Sequence, residues 1–211
     1  MKVYAEFIQE NNISYRRKTL LQFGESINLI GSAVLMNPGS AKPKSKNINI
    51  DIIKNFYKEN HNNKIELKDS WYSFSNDSTM NFLEKIFNGW YVDKYFKLNG
   101  IIQLFNCFYY RDQNLQNARR QFSQNSKYLF KESIFFKDKP VYFGWGKEGK
   151  SGVFRDIAQE IFSEYNHEFT PIYNKDFSEN NYYHPIYVNC NYSKDELLKK
   201  FINDFRKLIS E

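Results

Sequence analysis

The sequence Ala33-Val34-Leu35-Met36-Asn37-Pro38-Gly39-Ser40-Ala41 is a short apolar run that stops abruptly in a polar turn. An unbroken aliphatic run bounded by Gly31 and Pro38 is typical of a buried parallel strand, so we expect a strand at residues 33–36. In open α/β sheets, ligands bind beyond the carboxyl ends of the strands. The turn at Asn37, Pro38, Gly39 and Ser40 is therefore a candidate binding site, with exposed N–H groups and short polar side chains. An ordinary strand-to-loop turn is the alternative.

Further apolar runs alternate with amphipathic segments along the chain. Residues 100–106 and 140–146 are predicted to be buried strands, and residues 168–173 a fourth strand. We expect residues 33–36, 101–105 and 141–144 to be neighbouring strands in one sheet. The helical segments are residues 50–60, the stretch that follows Asp77, residues 114–135 and residues 197–209. This alternation predicts a three-layer α/β fold with a mainly parallel central sheet of about four strands.

The N-terminal segment has a different pattern. Residues 3–8 alternate between apolar and polar side chains, and residues 16–23 carry leucines after a basic cluster at positions 16–18. Both patterns predict antiparallel strands at a sheet edge, where one face meets solvent. We expect one domain over residues 1–211, with edge strands in 1–30, a core in 31–190 and a closing helix in 191–211.

Composition indicates the class of partner. The 30 Lys and Arg residues outnumber the 24 Asp and Glu residues, giving a net charge of +6, and the chain has 16 Tyr and 20 Phe residues. Basic side chains together with flat rings suit nucleic acid, so DNA is the expected partner. A compositional bias towards Lys, Asn, Ile, Phe and Tyr is the alternative explanation.

Cys107 and Cys190 fit neither a metal-binding pattern nor a disulfide framework, which indicates a reducing compartment. There is no apolar run of the ~20 residues that span a bilayer, and the N-terminus does not resemble a signal peptide. We therefore expect a cytoplasmic protein with no membrane partner. No cofactor or metal is predicted.

Four further positions follow predicted strands or begin predicted helices. Asn106 ends a strand, and its amide is both donor and acceptor, so it can read the edge of a base or bond local backbone. Asp77 is first a candidate helix cap, and it is also a candidate substrate-binding residue. Trp145, another candidate for substrate binding, lies between two glycines that allow a close backbone approach. His184 precedes a proline and can act as a hydrogen-bond donor, an acid or a base, or be a packed residue.

Basic residues lie near several of these segments. Lys42 and Lys44 belong to a loop that is either a solvated linker or a phosphate-contacting rim. Arg119 lies in a basic helical stretch, and Lys147 and Lys150 follow the 140–146 strand.

Five short motifs occur in order: Met36-Asn37-Pro38-Gly39-Ser40-Ala41, Asn76-Asp77-Ser78-Thr79, Gln103-Leu104-Phe105, Gly144-Trp145-Gly146 and His184-Pro185. They resemble the motifs of an uncharacterised bacterial domain family, Asn-Pro-Ser-x-Ala, Asp-Asp-Pro-Thr, Asn-Leu-Phe, Trp-Gly and His-Pro. The resemblance spans about residues 15–190. Gly39 replaces the usual Ser, Gln103 replaces the usual Asn, and an insertion precedes Asp77, so the role of the missing Asn falls to Asn106.

The same layout is more distantly similar to the uracil-DNA glycosylase superfamily. Asn37-Pro38-Gly39, Phe105-Asn106, Phe143-Gly144-Trp145-Gly146 and His184-Pro185 follow the order of its motifs. The Gly that precedes the first motif and the Ser-Pro that often follows His-Pro are missing. This resemblance implies a glycosylase-like fold and the excision or recognition of a modified base in DNA, with defence against foreign DNA as a further hypothesis.

The implied chemistry assigns a role to each candidate residue. Asn37 is expected to hold the attacking water and His184 to hydrogen-bond the leaving base. A base taken out of the stack needs an aromatic platform and an edge reader, for which we expect Phe108 or Tyr109 and Asn106. Tyr183 or Tyr187 is the candidate wedge, and phosphate contacts are expected from Lys42, Lys44, Arg119, Lys147 and Lys150. A non-catalytic nucleic-acid-binding module and a hydrolase of a free nucleoside or nucleotide are the alternatives.

Overall fold

The computed structural model describes residues 1–62, 70–124, 129, 135–150, 152–164 and 182–209. The strands of this part of the chain form one mixed sheet. They are β1 (Lys2–Glu10), β2 (Ile13–Phe23), β3 (Leu29–Leu35), β4 (Pro43–Ser45), β5 (Trp71–Phe74), β6 (Gly100–Asn106) and β7 (Val141–Phe143). Their order in the sheet is β4-β5-β1-β2-β6-β3-β7.

The helices are α1 (Ile50–His61), α2 (Ser78–Phe87), α3 (Leu115–Gln124), α4 (Gly152–Ser163), α5 (Pro185–Asn191) and α6 (Glu196–Ile209). Short 3-10 turns lie at Trp90–Val92 and Gly146–Lys150. None of the helices in the described ranges is long and apolar enough to cross a membrane.

The apolar runs of the sequence meet at the centre of a parallel three-strand unit. Strand β3 pairs in parallel with β6 on one side and with β7 on the other, and Val34 lies opposite both Phe105 and Phe143. Both residues that flank Val34, Ala33 and Leu35, are also buried, as expected for a strand that is covered on both faces. The prediction that residues 33–36, 101–105 and 141–144 form neighbouring strands is confirmed.

The predicted edge position of the N-terminal strands is wrong, although their antiparallel pairing is confirmed. Strand β2 pairs with β6, and β1 lies between β2 and β5, so both are interior strands. Consecutive residues of a strand point to opposite faces, and Leu20 and Leu21 are both buried, so the second half of β2, residues 19–23, is covered on both faces.

The mainly parallel sheet that we expected is in fact mixed. Apart from the two pairings of β3, each strand pairing in the described ranges is antiparallel. The reason is that the N-terminal hairpin enters the sheet directly beside β6 and not at its margin. The expected fourth strand at residues 168–173 lies outside the described residues.

Helices cover both faces of the sheet. On one face, Ile53 and Phe56 of α1 pack in a cluster with Leu20 and Ile101. The neighbouring residues Leu21 and Ile102 point the other way and share a second cluster with α2, α5 and α6. This arrangement is consistent with the three layers expected, and each fully buried aliphatic or aromatic side chain contributes about 1.5–3 kcal/mol.

Gln103 forms its hydrogen bonds inside the fold. Its Nε2 donates to Ser32 Oγ at 3.1 Å and to the Phe135 carbonyl at 2.8 Å, and its Oε1 lies 3.0 Å from His61 Nε2 at the end of α1. Buried amides need such partners. Gln103 therefore joins α1 to the sheet and has no polar atom left for a ligand.

The helical predictions are largely confirmed. Residues 50–60 match α1, the cap prediction at Asp77 matches the start of α2, and residues 196–209 form the closing helix α6. The 114–135 segment is helical to Gln124, and residues 125–128 and 130–134 lie outside the described residues. Strands β4, which contains Lys44, and β5 were not expected, nor was helix α5, which begins at the His184-Pro185 motif.

Candidate functional site

A cavity of about 890 Å³ opens at the carboxyl ends of the parallel strands. Its walls come from the turn after β3, the turn after β7, and the N-terminal ends of α2 and α5. Volumes of this size suit ligands with several rings. Nine of the predicted site residues line it: Asn37, Gly39, Ser40, Asp77, Trp145, Lys147, Tyr183, His184 and Tyr187.

Backbone carbonyls orient the side chain of Asn37. Its Nδ2 donates to the carbonyl of Asp112 at 3.0 Å and to that of Pro38 at 3.1 Å. The turn itself is held against the end of β6, because Cys107 N–H donates to the Leu35 carbonyl at 2.8 Å. The amide nitrogen is thus occupied, and the acceptor Oδ1 is the part of Asn37 that can serve a ligand or a water.

His184 is the N-cap of α5. The Ile186 N–H donates to its Nδ1 at 3.3 Å, so Nδ1 carries no proton and Nε2 is the protonated nitrogen of a neutral ring. Burial lowers the pKa of His184, and the Asp77 carboxylate opposes that shift. The ring is therefore neutral at pH 7 and offers Nε2–H as a hydrogen-bond donor.

The segment before His184 is tied to the end of β7. Gly146 N–H donates to the Tyr182 carbonyl at 2.8 Å, and the Tyr142 hydroxyl donates to the Tyr183 carbonyl. These bonds explain how a residue distant in sequence reaches the carboxyl end of the sheet. His184 is thus held by backbone contacts on both sides.

Asp77 both caps a helix and lines the cavity. Its Oδ1 accepts from Met80 N–H at 3.0 Å and caps α2, as predicted. The same carboxylate lines the cavity and raises the pKa values of both His184 and Arg16 through space. Asp77 therefore places a negative charge inside the site as well as starting a helix.

Aromatic rings form one wall of the cavity. Trp145 is buried, and its ring centroid lies 4.9 Å from that of Tyr182. Tyr183 and Tyr187 stack with centroids 5.1 Å apart and planes inclined by 14°. Burial and the nearby Asp195 carboxylate raise the pKa of Tyr183 to about 12, so its phenol is neutral at physiological pH. This wall offers flat apolar surface to a planar ligand.

Asn106 is 1% exposed and lies beneath the cavity, which it does not line. Neither Oδ1 nor Nδ2 has a hydrogen-bond partner among the described residues. Leu104, two residues earlier and hence on the same sheet face, does line the cavity. A buried amide without partners is costly, so Asn106 is poised for a partner on the cavity side.

Phe108 and Tyr109 do not fit the stacking role that we expected. Both are buried away from the cavity lining, and Phe108 packs against Phe122 and Phe154 at centroid distances of 5.0 and 5.4 Å. The residues that follow β6 turn into the core and not outward. Pro38 is also buried and does not line the cavity, although Gly39 beside it does.

The predicted phosphate contacts divide into three groups. Lys147 is exposed at the cavity, while Lys42 and Lys44 are exposed elsewhere. Arg119 forms an ion pair with Glu148 at 2.5 Å and lies over the Phe154 ring, so its guanidinium is already engaged. Lys150 lies in a 3-10 turn, and its side chain is outside the described part.

Arg16 lines the cavity and was not expected there. It is 2% exposed, and its Nε and Nη1 have no hydrogen-bond partner among the described residues. Within the described ranges, no group of His, Cys, Asp and Glu side chains could hold a metal ion. Arg16, Asn37, Asp77 and His184 are thus polar groups of the cavity lining that could interact with a ligand.

Comparison of the chain with models of known protein families, with curated proteins and with solved structures found no match. The function is therefore argued from the geometry of the cavity.

Proposed function

We propose that this protein is a DNA glycosylase-like hydrolase that excises a modified base, and that its fold is of the uracil-DNA glycosylase kind. The observation that carries the proposal is the meeting of Asn37 and His184 in one cavity, each held by backbone hydrogen bonds. One offers an acceptor and the other a neutral donor. N-glycosidic hydrolysis needs this pair on the two sides of the bond that breaks.

His184 stabilises the leaving group. When the bond between C1′ and the base nitrogen breaks, its electron pair goes to the base, and the sugar becomes oxocarbenium-like. A hydrogen bond from Nε2–H to the anionic base grows stronger as the charge develops, which lowers the barrier. A neutral donor also gives up its proton less readily than an imidazolium, so the bond persists through the step.

Asn37 positions the water. Its Oδ1 accepts a hydrogen bond from the water, whose oxygen forms the new bond to C1′. A neutral amide cannot keep the proton that the water loses, and that proton ends on the departed base. Water and the glycosidic substrate thus account for all atoms of sugar and free base.

The remaining walls suit a base taken out of the stack. Trp145 and the Tyr183–Tyr187 pair supply the flat surface that we had assigned to Phe108 and Tyr109. Asn106 is the candidate edge reader beneath the floor, and Lys147 the candidate phosphate contact at the rim.

The test is formation of abasic sites in DNA that carries a panel of modified bases, with unmodified DNA as the substrate control. We expect cleavage of at least one modified duplex or single strand by the wild-type chain and none by the double variant Asn37→Ala/His184→Ala. Tight binding to DNA without abasic sites on any member of the panel would contradict the proposal and favour the non-catalytic module.

A second candidate, a hydrolase of a free nucleoside or nucleotide, is favoured by the shortage of cationic side chains at the rim. Lys42 and Lys44 do not line the cavity, and Arg119 is paired with Glu148. DNA binding weakens steeply with salt because counterions are released, whereas nucleoside binding does not. Binding measured across a salt series therefore separates the two candidates.

A further inference from the structure

An irregularity in β2 turns Arg16 towards the cavity. Tyr4 pairs with Leu20 but Glu6 pairs with Arg17, so β2 carries one extra residue between these pairs. Lys18 lies there with a φ of 48°. One extra residue reverses the alternation of faces, and bulges often re-aim a side chain in this way.

The bulge places Arg16 on the same face as the floor of the site. Arg16 lies opposite Phe7, which packs with the same cluster as Leu21 and Leu104. Without the extra residue, Arg16 would share the face of Leu20, which belongs to the cluster around α1. The bulge in β2 is thus the reason that the basic side chain of Arg16 lies in the interior.

The guanidinium of Arg16 is charged, and two of its three nitrogens lack hydrogen-bond acceptors among the described residues. Burial lowers the pKa of Arg16 to about 10, with Asp77 opposing the shift, so the group is still protonated at neutral pH. Its Nε and Nη1 have no partner in the described part of the chain, and no ion pair within 4 Å joins it to Asp77 there. Buried donors of a charged group are costly to leave unpaired, and this favours a ligand that completes them.

We propose that Arg16 reads the base in the cavity by donating to two adjacent acceptors on its edge, while Asp77 accepts from a donor beside them. The inference rests on the proposed function and names its substrate class. The fork of an arginine matches two neighbouring acceptors. Oδ1 of Asp77 caps α2, which leaves its Oδ2 for the ligand.

This pattern selects among the bases. Guanine presents N7 and O6 as adjacent acceptors with N1–H next to them, and the Watson–Crick edge of cytosine presents O2, N3 and then the N4 amino group. Adenine has an amino donor beside N7, and the O4 acceptor of thymine or uracil is followed by N3–H. The substrate base is therefore of the guanine or the cytosine type, with its modification elsewhere on the ring.

The charges around Arg16 favour a neutral base over a phosphate group. Four carboxylates line the cavity, against the two cationic side chains Arg16 and Lys147: Asp77, Asp112, Glu148 and Asp195. Asp77 is also close enough to raise the pKa of Arg16. A full anion placed beside Arg16 would be repelled by that carboxylate, whereas a base meets both groups with complementary atoms.

The test is equilibrium binding of deoxyguanosine, deoxycytidine, deoxyadenosine and thymidine to the wild-type chain, Arg16→Met, Arg16→Lys and the matched control Arg155→Met. Arg155 is an exposed arginine on α4. We expect deoxyguanosine or deoxycytidine to bind the wild type and the control about 10-fold or more tightly than the other two, and Arg16→Met to lose that preference. Which of the two binds identifies the base type.

The Arg16→Lys variant separates the effect of paired hydrogen bonds to the base from the effect of the positive charge. A lysine ammonium restores the charge but cannot span two acceptors, so it should lose the preference as Arg16→Met does. Thermal unfolding should show Arg16→Met folded and at least as stable as wild type, because two buried donors without hydrogen-bond partners have been removed.

Equal affinity for all four nucleosides, or a preference that survives Arg16→Met, would overturn the inference. So would inorganic phosphate that competes with the nucleosides in an Arg16-dependent way, since the site would then bind an anion. None of these measurements requires cleavage. Failure of the abasic-site assay therefore overturns the proposed function while the nucleoside preference still decides this inference.

Discussion

At the scale of single residues, hydrogen bonds within the protein determine which polar atoms of the site can still bind a ligand. Backbone groups occupy Nδ2 of Asn37 and Nδ1 of His184, and this leaves Oδ1 and Nε2 for a ligand. Orientation by backbone costs nothing at the moment of reaction, because the groups are already in place. One residue then offers an acceptor and the other a donor, without a formal charge on either.

Asn37→Ala and His184→Ala are each expected to lower the single-turnover cleavage rate by about 10²–10³-fold and to change DNA affinity little. Both groups act mainly as the bond breaks. Lys147→Ala should do the reverse, because phosphate contacts bind ground and transition states nearly equally. Single-turnover rates and equilibrium binding on the same three variants check this. If Asn37→Ala and His184→Ala cleave at the wild-type rate, both residues have structural roles only.

The pH dependence of cleavage should follow the neutral form of His184. Burial lowers the pKa of His184 below its ordinary value of about 6.5, so the ring is still neutral at the pH at which an ordinary histidine gains its proton. We expect the rate to be level above that point and to fall below it, as the ring gains a proton and the Ile186 N–H loses its acceptor. The acid limb should be absent from the residual activity of His184→Asn. An acid limb well above pH 7 in the wild type would contradict this assignment.

Sequence patterns could identify Asn37 and His184, because each stands at the end of an apolar run or before a proline. The same patterns could not identify Arg16. Its position in the Arg16-Arg17-Lys18 cluster is typical of a solvated strand face, and its burial depends on a bulge at Lys18. The stacking role predicted for Phe108 and Tyr109 is wrong for the opposite reason. Their neighbours in sequence are polar, yet both side chains are buried in the core.

At the scale of elements, α2 links stability to the site through Asp77. Replacement of an N-cap Asp by Ala typically costs about 1 kcal/mol, whereas Asn caps nearly as well. Asp77→Ala should therefore lower the free energy of unfolding in urea by about that amount, and Asp77→Asn by much less. Both remove the carboxylate that raises the pKa of His184, so in both the histidine should titrate at lower pH than in wild type. An NMR titration checks this, and an unchanged pKa in Asp77→Asn would contradict the coupling.

Helix α5 is an element that a closer use of local rules could have found. Pro185 occupies the first helical position, where its missing N–H has no intrahelical partner anyway, and His184 provides the cap. We predicted no helix at His184-Pro185, although this start signal is present in the sequence. The three parallel strands were predicted correctly because a strand that is covered on both faces has an unbroken aliphatic run, which can be recognised in the sequence.

At the scale of the whole molecule, strand order was not accessible from local patterns. Residues 3–8 alternate in the way that an edge strand does, yet β1 is an interior strand between β5 and β2. What places it there is the pairing of β2 with β6, which joins residues far apart in sequence. The site depends on the same pairing, because Arg16 reaches the cavity from β2.

Removal of residues 1–24 should abolish cooperative folding, because it deletes two interior strands. The loss includes Val3, Leu20, Leu21 and Phe23, all buried, and burial of each contributes about 1.5–3 kcal/mol. That sum is comparable with the roughly 5–15 kcal/mol that stabilises a typical domain. β6 would also gain an unpaired edge, and β4 with β5 would lose its connection to the sheet.

Near-UV circular dichroism during heating of the 25–211 chain checks this expectation, and the transition should be absent. A synthetic peptide of residues 1–24, added as the control, should restore it in a concentration-dependent way, because the missing contacts are strand pairings and packing that a separate chain can make. A wild-type melting temperature without the peptide would mean that β1 and β2 are dispensable. Cleavage by the peptide-restored complex should then depend on Arg16 in the peptide, since that side chain reaches the cavity from β2 alone.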